Sequence, residues 1–443
     1  MKIDKDLSTY SVALVYDKVT TQYGGAEWVL AALREAFPDA PLYTSMATEN
    51  AVWSRLFSVK TSFLQRFPLH NPKLLVWLFP LAFESLDLST FDVVISVTSG
   101  EAKGVLTKPN QLHISYMLTP PRYLHTHQET YLKSMPLLSL PFLSWITKKM
   151  LSYLAWWDKA ASKRPDTVIA ISKLIQNRIH TVYGLESSVL YPPVPDIPTT
   201  LPKLSLNQPY FLTLSRLVAY KKIDVAIAAA LQENKTIIVA GGGEEAQRLQ
   251  EKAGRFAKIR VQEPLETFLQ RHANNGVQVL FTGKVSDLER LQLLQQAEAL
   301  IMPCLEDFGI TALEAAVLGT PTILHARSGV SEILEDTRHS IHIQKETIQE
   351  VRKALQRLSN TEISFNTLHT RAKKCSTSVF TRNIKKYVYD SIIQLNLQKK
   401  IVPKNRIERT ACHISITPTQ SSLQEAGEHD SGLNLERKHQ SSS

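Results

Sequence analysis

Two doubly wound α/β halves joined by a linker are predicted for this chain on three observations. Short apolar runs alternate with amphipathic helical stretches from Ser11 to Tyr191, and again from Tyr210 to His325. Such alternation argues for parallel sheets covered on both faces. Between the two series, residues 192–209 are rich in Pro, Thr and Leu and lack periodicity, which marks an interdomain linker. The length, 443 residues, accommodates two domains of ordinary size and a tail.

The first half opens with the strand Ser11–Tyr16 (S-V-A-L-V-Y), a loop containing Gly24 and Gly25, and the helix Ala26–Phe37. This is the entry unit of a doubly wound sheet. It lacks G-x-G-x-x-G, so a dinucleotide-dependent enzyme is not implied. Pro41–Thr44, Asp92–Val97, Leu112–Met117, Thr167–Ile171 and Val189–Tyr191 read as further strands. The second half offers strands at 211–214, 236–240, 279–282, 299–302 and 322–325. Its helices are predicted at Asp224–Leu231, Glu244–Lys252 and Asp287–Gln296. Beyond Leu397 the composition turns polar, and residues 404–443 are expected to be disordered.

At 43% apolar and 21% charged residues, the composition is that of a soluble globular protein. A net charge of +10 points to an anionic partner. Nucleic acid is not the expected one, since neither a module motif nor a single basic stripe is present. Cys304, Cys375 and Cys412 are odd in number and lack metal spacing, which fits a reducing cytoplasm. The opening M-K-I-D-K-D-L-S-T-Y is charged where a secretory leader needs an apolar core. The most apolar window, Met135–Thr147, holds two prolines and falls short of the roughly 20 residues a bilayer requires.

The chemistry concentrates in P-C-L-E-D-F-G-I-T-A-L-E-A-A-V-L-G-T-P, residues 303–321. It reads as a strand end, a loop and a helix starting near Ile310, with Ile310, Leu313 and Val317 on one buried face. Gly319 and Pro321 stop that helix. Backbone N–H groups at Gly309, Ile310 and Thr311 are free to meet a phosphate, which the helix dipole favours. Glu306 and Glu314 flank the turn, and each carboxylate can hold a pair of adjacent hydroxyls. Taken alone, two glutamates so spaced are more often solvated. Earlier, S-R-L-V-A-Y-K-K-I-D puts Arg216 and Lys221 in a loop at the carboxyl end of a strand, where both could converge on a diphosphate. Leu56–Phe83 and Trp145–Arg164 interleave aromatics, Trp156 and Trp157 among them, with Lys and Arg, as suits a segment lying on anionic lipid.

The string E-D-F-G-I-T-A-L-E-A-A-V-L-G-T-P closely resembles the donor-site signature of family-four retaining glycosyltransferases, which have the GT-B fold. F-D-V-V-I-S, H-I-S-Y-M-L-T-P-P-R-Y and V-L-Y-P-P-V resemble its subgroup of polysaccharide-assembling mannosyltransferases, and the likeness spans about residues 10–395. The resemblance implies two Rossmann-like domains facing across a cleft. These are an acceptor domain at 1–197, a donor domain at 205–375 and a helix at 376–397 returning to the first domain. It implies that Arg216 and Lys221 hold the donor diphosphate, that Glu306 faces the hexose and that Glu314 holds the ribose. Gly25 would approach the phosphates, Gly241 the base, and Gly283, Lys284 and Val285 would line the base pocket. Phe308, Gly309, Ile310 and Thr311 complete the donor side, while Thr119 and Arg122 lie on the acceptor side. No metal or other cofactor is expected.

Two departures stand out. H-T-P-x-R-Y appears as L-T-P-P-R-Y, so the family histidine, which lies near the transferred sugar, is Leu118 here. The Trp and Asp that commonly follow are His125 and Thr126, which leaves His125 or His127 as substitutes. More mildly, Gly-Gly-x-x-Glu appears as S-G-V-S-E, Ser328 to Glu332. The expected protein is therefore a cytoplasmic hexosyltransferase, peripheral at the inner membrane face. It would move mannose from GDP-mannose to a glycan or lipid-linked acceptor. The rival is a catalytically weak relative that binds nucleotide sugar or a partner enzyme without turnover.

Overall fold

The computed structural model describes residues 7–20, 24–66, 75–125, 141–198, 200–205, 208–273 and 276–401. The described residues up to Gln394 form one compact unit that holds two sheets. The tail at 404–443, His127 and residues 135–140 of the apolar window lie outside the described residues.

The first sheet contains β1 (Val12–Tyr16), β2 (Leu42–Thr44), β3 (Val59–Thr61), β4 (Val93–Thr98), β5 (Leu112–Met117), β6 (Thr167–Ala170) and β7 (Ser188–Val189). Their order is β3-β2-β1-β4-β5-β6-β7, every pair parallel. The second contains β8 (Phe211–Leu214), β9 (Ile237–Ala240), β10 (Ala257–Ile259), β11 (Val279–Gly283), β12 (Ala299–Met302), β13 (Thr322–His325) and β14 (Ser340–Ile343). Their order is β10-β11-β9-β8-β12-β13-β14, again parallel throughout. These are the two doubly wound sheets of a GT-B fold.

Side-chain alternation explains why both faces are covered. Phe211, Ile237, Val239, Phe281, Ile301 and Ile323 enter one core, against the helices Ile223–Gln232 and Ile348–Ser359. Their neighbours Leu212, Ile238, Ala240, Leu280 and Leu300 enter a second core on the opposite face, with Phe268, Leu293 and Ala315. A strand buried on both sides reads as a continuous apolar run, which is why F-L-T-L, A-L-I-M and T-I-L-H are recognisable in the sequence. The edge strands V-K-T and A-K-I are short and carry lysines, and S-I-H-I alternates with polar residues, so none has that signature.

The helix Pro141–Ala161 was masked by its own aromatic and basic composition. Trp145 and Trp156 are exposed on it, whereas Trp157 is buried. The Trp157 Nε1–H donates to Glu84 at 2.8 Å, and its ring fills the space a side chain at Gly104 would need. Trp157 is therefore a core residue and leaves the interfacial set. Within the linker, Val194 N–H donates to the Cys375 carbonyl at 2.7 Å, and further on Phe380 meets Tyr116 edge to face at 5.8 Å. The start of the helix Thr377–Ile401 thus packs on the first sheet.

Each sheet has one strand whose neighbours lead off in opposite directions: β1 lies between β2 and β4, and β8 between β9 and β12. Loops leaving such a pair diverge to opposite faces and open a crevice at the strands' carboxyl ends. Most of the predicted donor-side residues lie at the second crevice, and Gly25, Thr119 and Arg122 come from the first sheet.

Candidate functional site

β8 and β12 run side by side, so the loops after them meet. Lys221 comes from the first loop and Glu306 from the second, and the Lys221 ammonium donates to Glu306 Oε1. Both side chains are largely buried. Burial on its own lowers the Lys221 pKa, but the Glu306 carboxylate, helped by Cys304 and Tyr220, reverses the shift and raises it. Cys304 Sγ also donates to Glu306 Oε1, at 3.3 Å, and burial pushes that thiol far above its ordinary range. Arg216 is exposed, and its guanidinium donates to the Tyr220 hydroxyl at 3.1 Å.

Backbone contact makes this loop possible. A Cβ at Gly241 would fall 1.9 Å from the Ser215 carbonyl, and one at Gly243 would fall 2.2 Å from that of Leu217. The G-G-G turn after β9 therefore lets the Arg216 loop lie directly on it. Gly242 faces Lys284, which follows Gly283 at the end of β11 with Val285 beside it. These residues share one side of the second crevice.

Gly309, at φ +101°, begins the helix Ile310–Val317 and gives it no side-chain cap. Its amino end faces the first sheet's glycine loop, since a Cβ on Gly25 would lie 3.6 Å from Ile310. That loop is held by Glu27, whose carboxylate accepts from Gly24 N–H at 2.9 Å and from the Tyr16 hydroxyl at 2.8 Å. In G-G-A-E the glutamate is thus structural. Glu314 is buried and accepts from Arg290 at 2.7 Å. Burial raises the Glu314 pKa, and the Arg290 charge partly offsets this.

Residues predicted for the acceptor side cross to the second sheet. Arg122 pairs with Asp307 at 2.6 Å and lies over the Tyr220 ring at 5.3 Å. Burial would lower its pKa, yet the Asp307 charge and hydrogen bond leave it raised. Arg178 pairs with the other Asp307 oxygen at 2.7 Å and donates to Thr119 Oγ1 at 2.8 Å. Phe308 is buried beside the Tyr191 ring.

His125 is not free to replace the histidine absent at Leu118. Its Nε2 bonds Asp158 at 2.7 Å, in a buried cluster where Asp158 also accepts from Tyr183 at 2.7 Å and from Lys103. Sequence reasoning passed over Asp307, Arg178, Tyr220 and Arg290. Asp307 stood inside the quoted motif and Arg290 inside a predicted helix, but their partners are 129 and 24 residues away. Among the described residues, no group of three or more His, Cys, Asp or Glu is placed to hold a metal ion.

Residues 202–375 match the family described as "Glycosyl transferases group 1". No curated protein matches the chain in sequence. The apo lipopolysaccharide outer core galactosyltransferase WaaB superposes with a TM-score of 0.57 at 17% identity, over 86% of this chain and 99% of that one. HepE of Anabaena in complex with UDP gives 0.57 at 15% identity, over 86% and 100%. A sucrose-phosphate synthase from Thermosynechococcus elongatus gives 0.57 at 15% identity, over 86% and 98%. The second lobe is therefore similar to glycosyl transferases group 1, and the chain has the GT-B fold of these structures.

Proposed function

We propose that this chain is a retaining hexosyltransferase using a nucleotide-diphosphate sugar, and that mannose from GDP-mannose is the sugar moved. The observation that carries the reading is the meeting of Lys221 with Glu306 beside Arg216, at the uncapped amino end of the Ile310–Val317 helix. A diphosphate needs cations and backbone donors, and an anomeric carbon gaining positive charge needs a carboxylate. Both are within one crevice. HepE, of the same fold, is described in complex with UDP-glucose, which supports a nucleotide-sugar donor; mannose and GDP rest on the motif resemblance.

In this mechanism the C1–O bond to the diphosphate breaks as Arg216, Lys221 and the N–H groups of Ile310 and Thr311 take up the leaving charge. Glu306 faces the anomeric carbon. The acceptor hydroxyl attacks from the same face, forms the new C1–O bond and gives its proton to the departing phosphate oxygen. Glu314 holds the ribose hydroxyls, with Arg290 fixing the carboxylate that does so. Gly25, Gly241, Gly283, Lys284, Val285 and Phe308 shape the donor pocket, and Thr119 and Arg122 face the acceptor. No protein base is required, which accommodates Leu118. No metal or other cofactor is invoked.

The acceptor is a glycan or a lipid-linked glycan met at an anionic membrane surface. Trp145, Tyr153 and Trp156 stand exposed on one face of the Pro141–Ala161 helix, and Lys149 lies over the Trp145 ring at 4.1 Å. Aromatics flanked by lysines suit the headgroup region. Among the described residues no helix is long and apolar enough to cross a membrane.

The test is calorimetry with GDP, UDP and ADP, followed by labelled-sugar transfer from each nucleotide sugar to membrane extracts. Arg216→Ala should cost at least about 2 kcal/mol of donor binding, the scale for a lost charge-assisted contact. Nucleotide binding without transfer or slow donor hydrolysis would replace this reading with the weak relative.

A further inference from the structure

We infer that Asp307 is a positioning residue, clasped by two arginines of the first lobe so that Glu306 is in register only when the lobes are closed. Asp307 follows Glu306 directly, on the loop between β12 and the Ile310–Val317 helix. Its two carboxylate oxygens go to different arginines, Oδ2 to Arg122 at 2.6 Å and Oδ1 to Arg178 at 2.7 Å. Its carbonyl accepts from the Ser172 hydroxyl at 2.8 Å. All three partners belong to the first lobe, whereas Asp307 belongs to the second.

A second crossing keeps the same helix in place. Glu332 accepts from the N–H groups of Lys173 at 2.9 Å and Leu174 at 3.2 Å, and from the Tyr191 hydroxyl at 3.0 Å. The Lys173–Tyr183 helix is therefore held to the second lobe at its amino end, through Glu332, and further along through Arg178. There is little slack between the two points. A Cβ at Gly329 would come within 2.4 Å of the Asp307 carbonyl and 2.7 Å of Ser172 Cβ.

Closure and chemistry are coupled through these contacts. When the lobes part, Arg122 and Arg178 lose the carboxylate they share, and Asp307 loses both of its guanidinium partners. The Glu306 loop then loses its outer anchor and keeps only Lys221 and neighbours within its own lobe. Arg122 also lies over Tyr220, which bonds Arg216, so parting removes a neighbour of the diphosphate pair as well. A misplacement of about 1 Å at a reacting group is enough to cost roughly 100-fold in rate.

The kinetic part of this inference rests on the hexosyltransferase reading; the closure part does not. The experiment uses the full chain and compares wild type, Asp307→Asn, Arg178→Gln and the double variant by steady-state kinetics and small-angle X-ray scattering. The expected result for Asp307→Asn is a kcat lowered about tenfold or more, a donor KM within about threefold, and a larger radius of gyration. Arg178→Gln should do the same, and the double variant should add little, because both act on one contact. Arg178→Gln also carries the test if Asp307→Asn does not fold. A loss of kcat with an unchanged scattering curve overturns the clasp, as do effects that multiply in the double variant. If wild type transfers no sugar from any nucleotide donor, the enzymatic reading falls, and an expanded Asp307→Asn variant still supports the clasp.

Discussion

The crevices of the two sheets arise in the same way and are filled in opposite ways. In the first, the β1 loop meets the β4 loop through Asp17, whose carboxylate accepts from Thr98 Oγ1 at 2.7 Å, Ser99 N–H at 2.7 Å and Ala102 N–H at 2.9 Å. In the second, the β8 loop meets the β12 loop through Lys221 and Glu306, and Arg216 stands exposed beside them. Doubly wound topology makes both places available for a ligand. On the proposed function, loop chemistry sets what each contributes, the first lending Gly25 to the donor pocket and the second the charged groups. A carboxylate surrounded by backbone donors closes a crevice, whereas two cations and a carboxylate leave one ready for a charged ligand.

Breaking the second crevice should have the largest effect. Glu306→Gln is expected to lower turnover roughly 100-fold or more, the scale for removing a preorganised charge that faces a transition state. Because Gln leaves the buried Lys221 ammonium without its counterion, the melting temperature should fall as well, and turnover is compared on the folded fraction. Turnover within tenfold of wild type in a transfer assay would put Glu306 on a level with Asp17.

Breaking the first crevice should act on stability. Asp17→Ala leaves the N–H groups of Ser99 and Ala102 without their acceptor, a cost of about 2 kcal/mol or more. Chemical denaturation would read this as a lower midpoint with kcat nearly unchanged in the folded fraction. A large kcat loss at unchanged stability would mean that the first crevice also takes part in the reaction.

The neighbouring Glu101 sharpens the contrast through pH. Burial, and then the Asp17 charge, push its carboxyl up to about 7, while its Tyr123 hydrogen bond pulls the other way. Because the folded state holds this proton more tightly than the unfolded chain, Glu101 adds stability at low pH. That contribution is lost as pH rises from about 4.5 through about 7. Glu101→Gln should flatten this fall in a series of thermal melts. An unaltered slope would show that the proton is held elsewhere.

The smallest effect is expected at Leu118, between the two crevices in function. If the leaving phosphate accepts the acceptor's proton, Leu118→His should leave the transfer rate within about tenfold or raise it. A rise well beyond that would mean the wild-type site lacks a group its chemistry needs.

Much of this was legible along the chain because it is local. Apolar runs such as A-L-I-M announce a doubly buried strand, and Gly309 and Gly319 bracket their helix whatever surrounds it. Arg216, Lys221, Glu306 and Glu314 could be named because each sits within a few residues of a strand end or helix start and inside a string that resembles a known donor site. The sequence by itself therefore determined the two sheets, the loops that carry charge and the amino end left open. Only the tertiary structure decided the pairings. Asp307 reads as one more loop acid until Arg178, 129 residues earlier, reaches it, and His125 reads as a free base until Asp158 takes it. Trp157 likewise reads as a partner of Trp156 until packing turns one inward and the other out. The physical reason is range. Periodicity, capping and turn chemistry are set by neighbours in sequence, whereas the counterion of a charge is set by whatever the folded chain brings within about 4 Å.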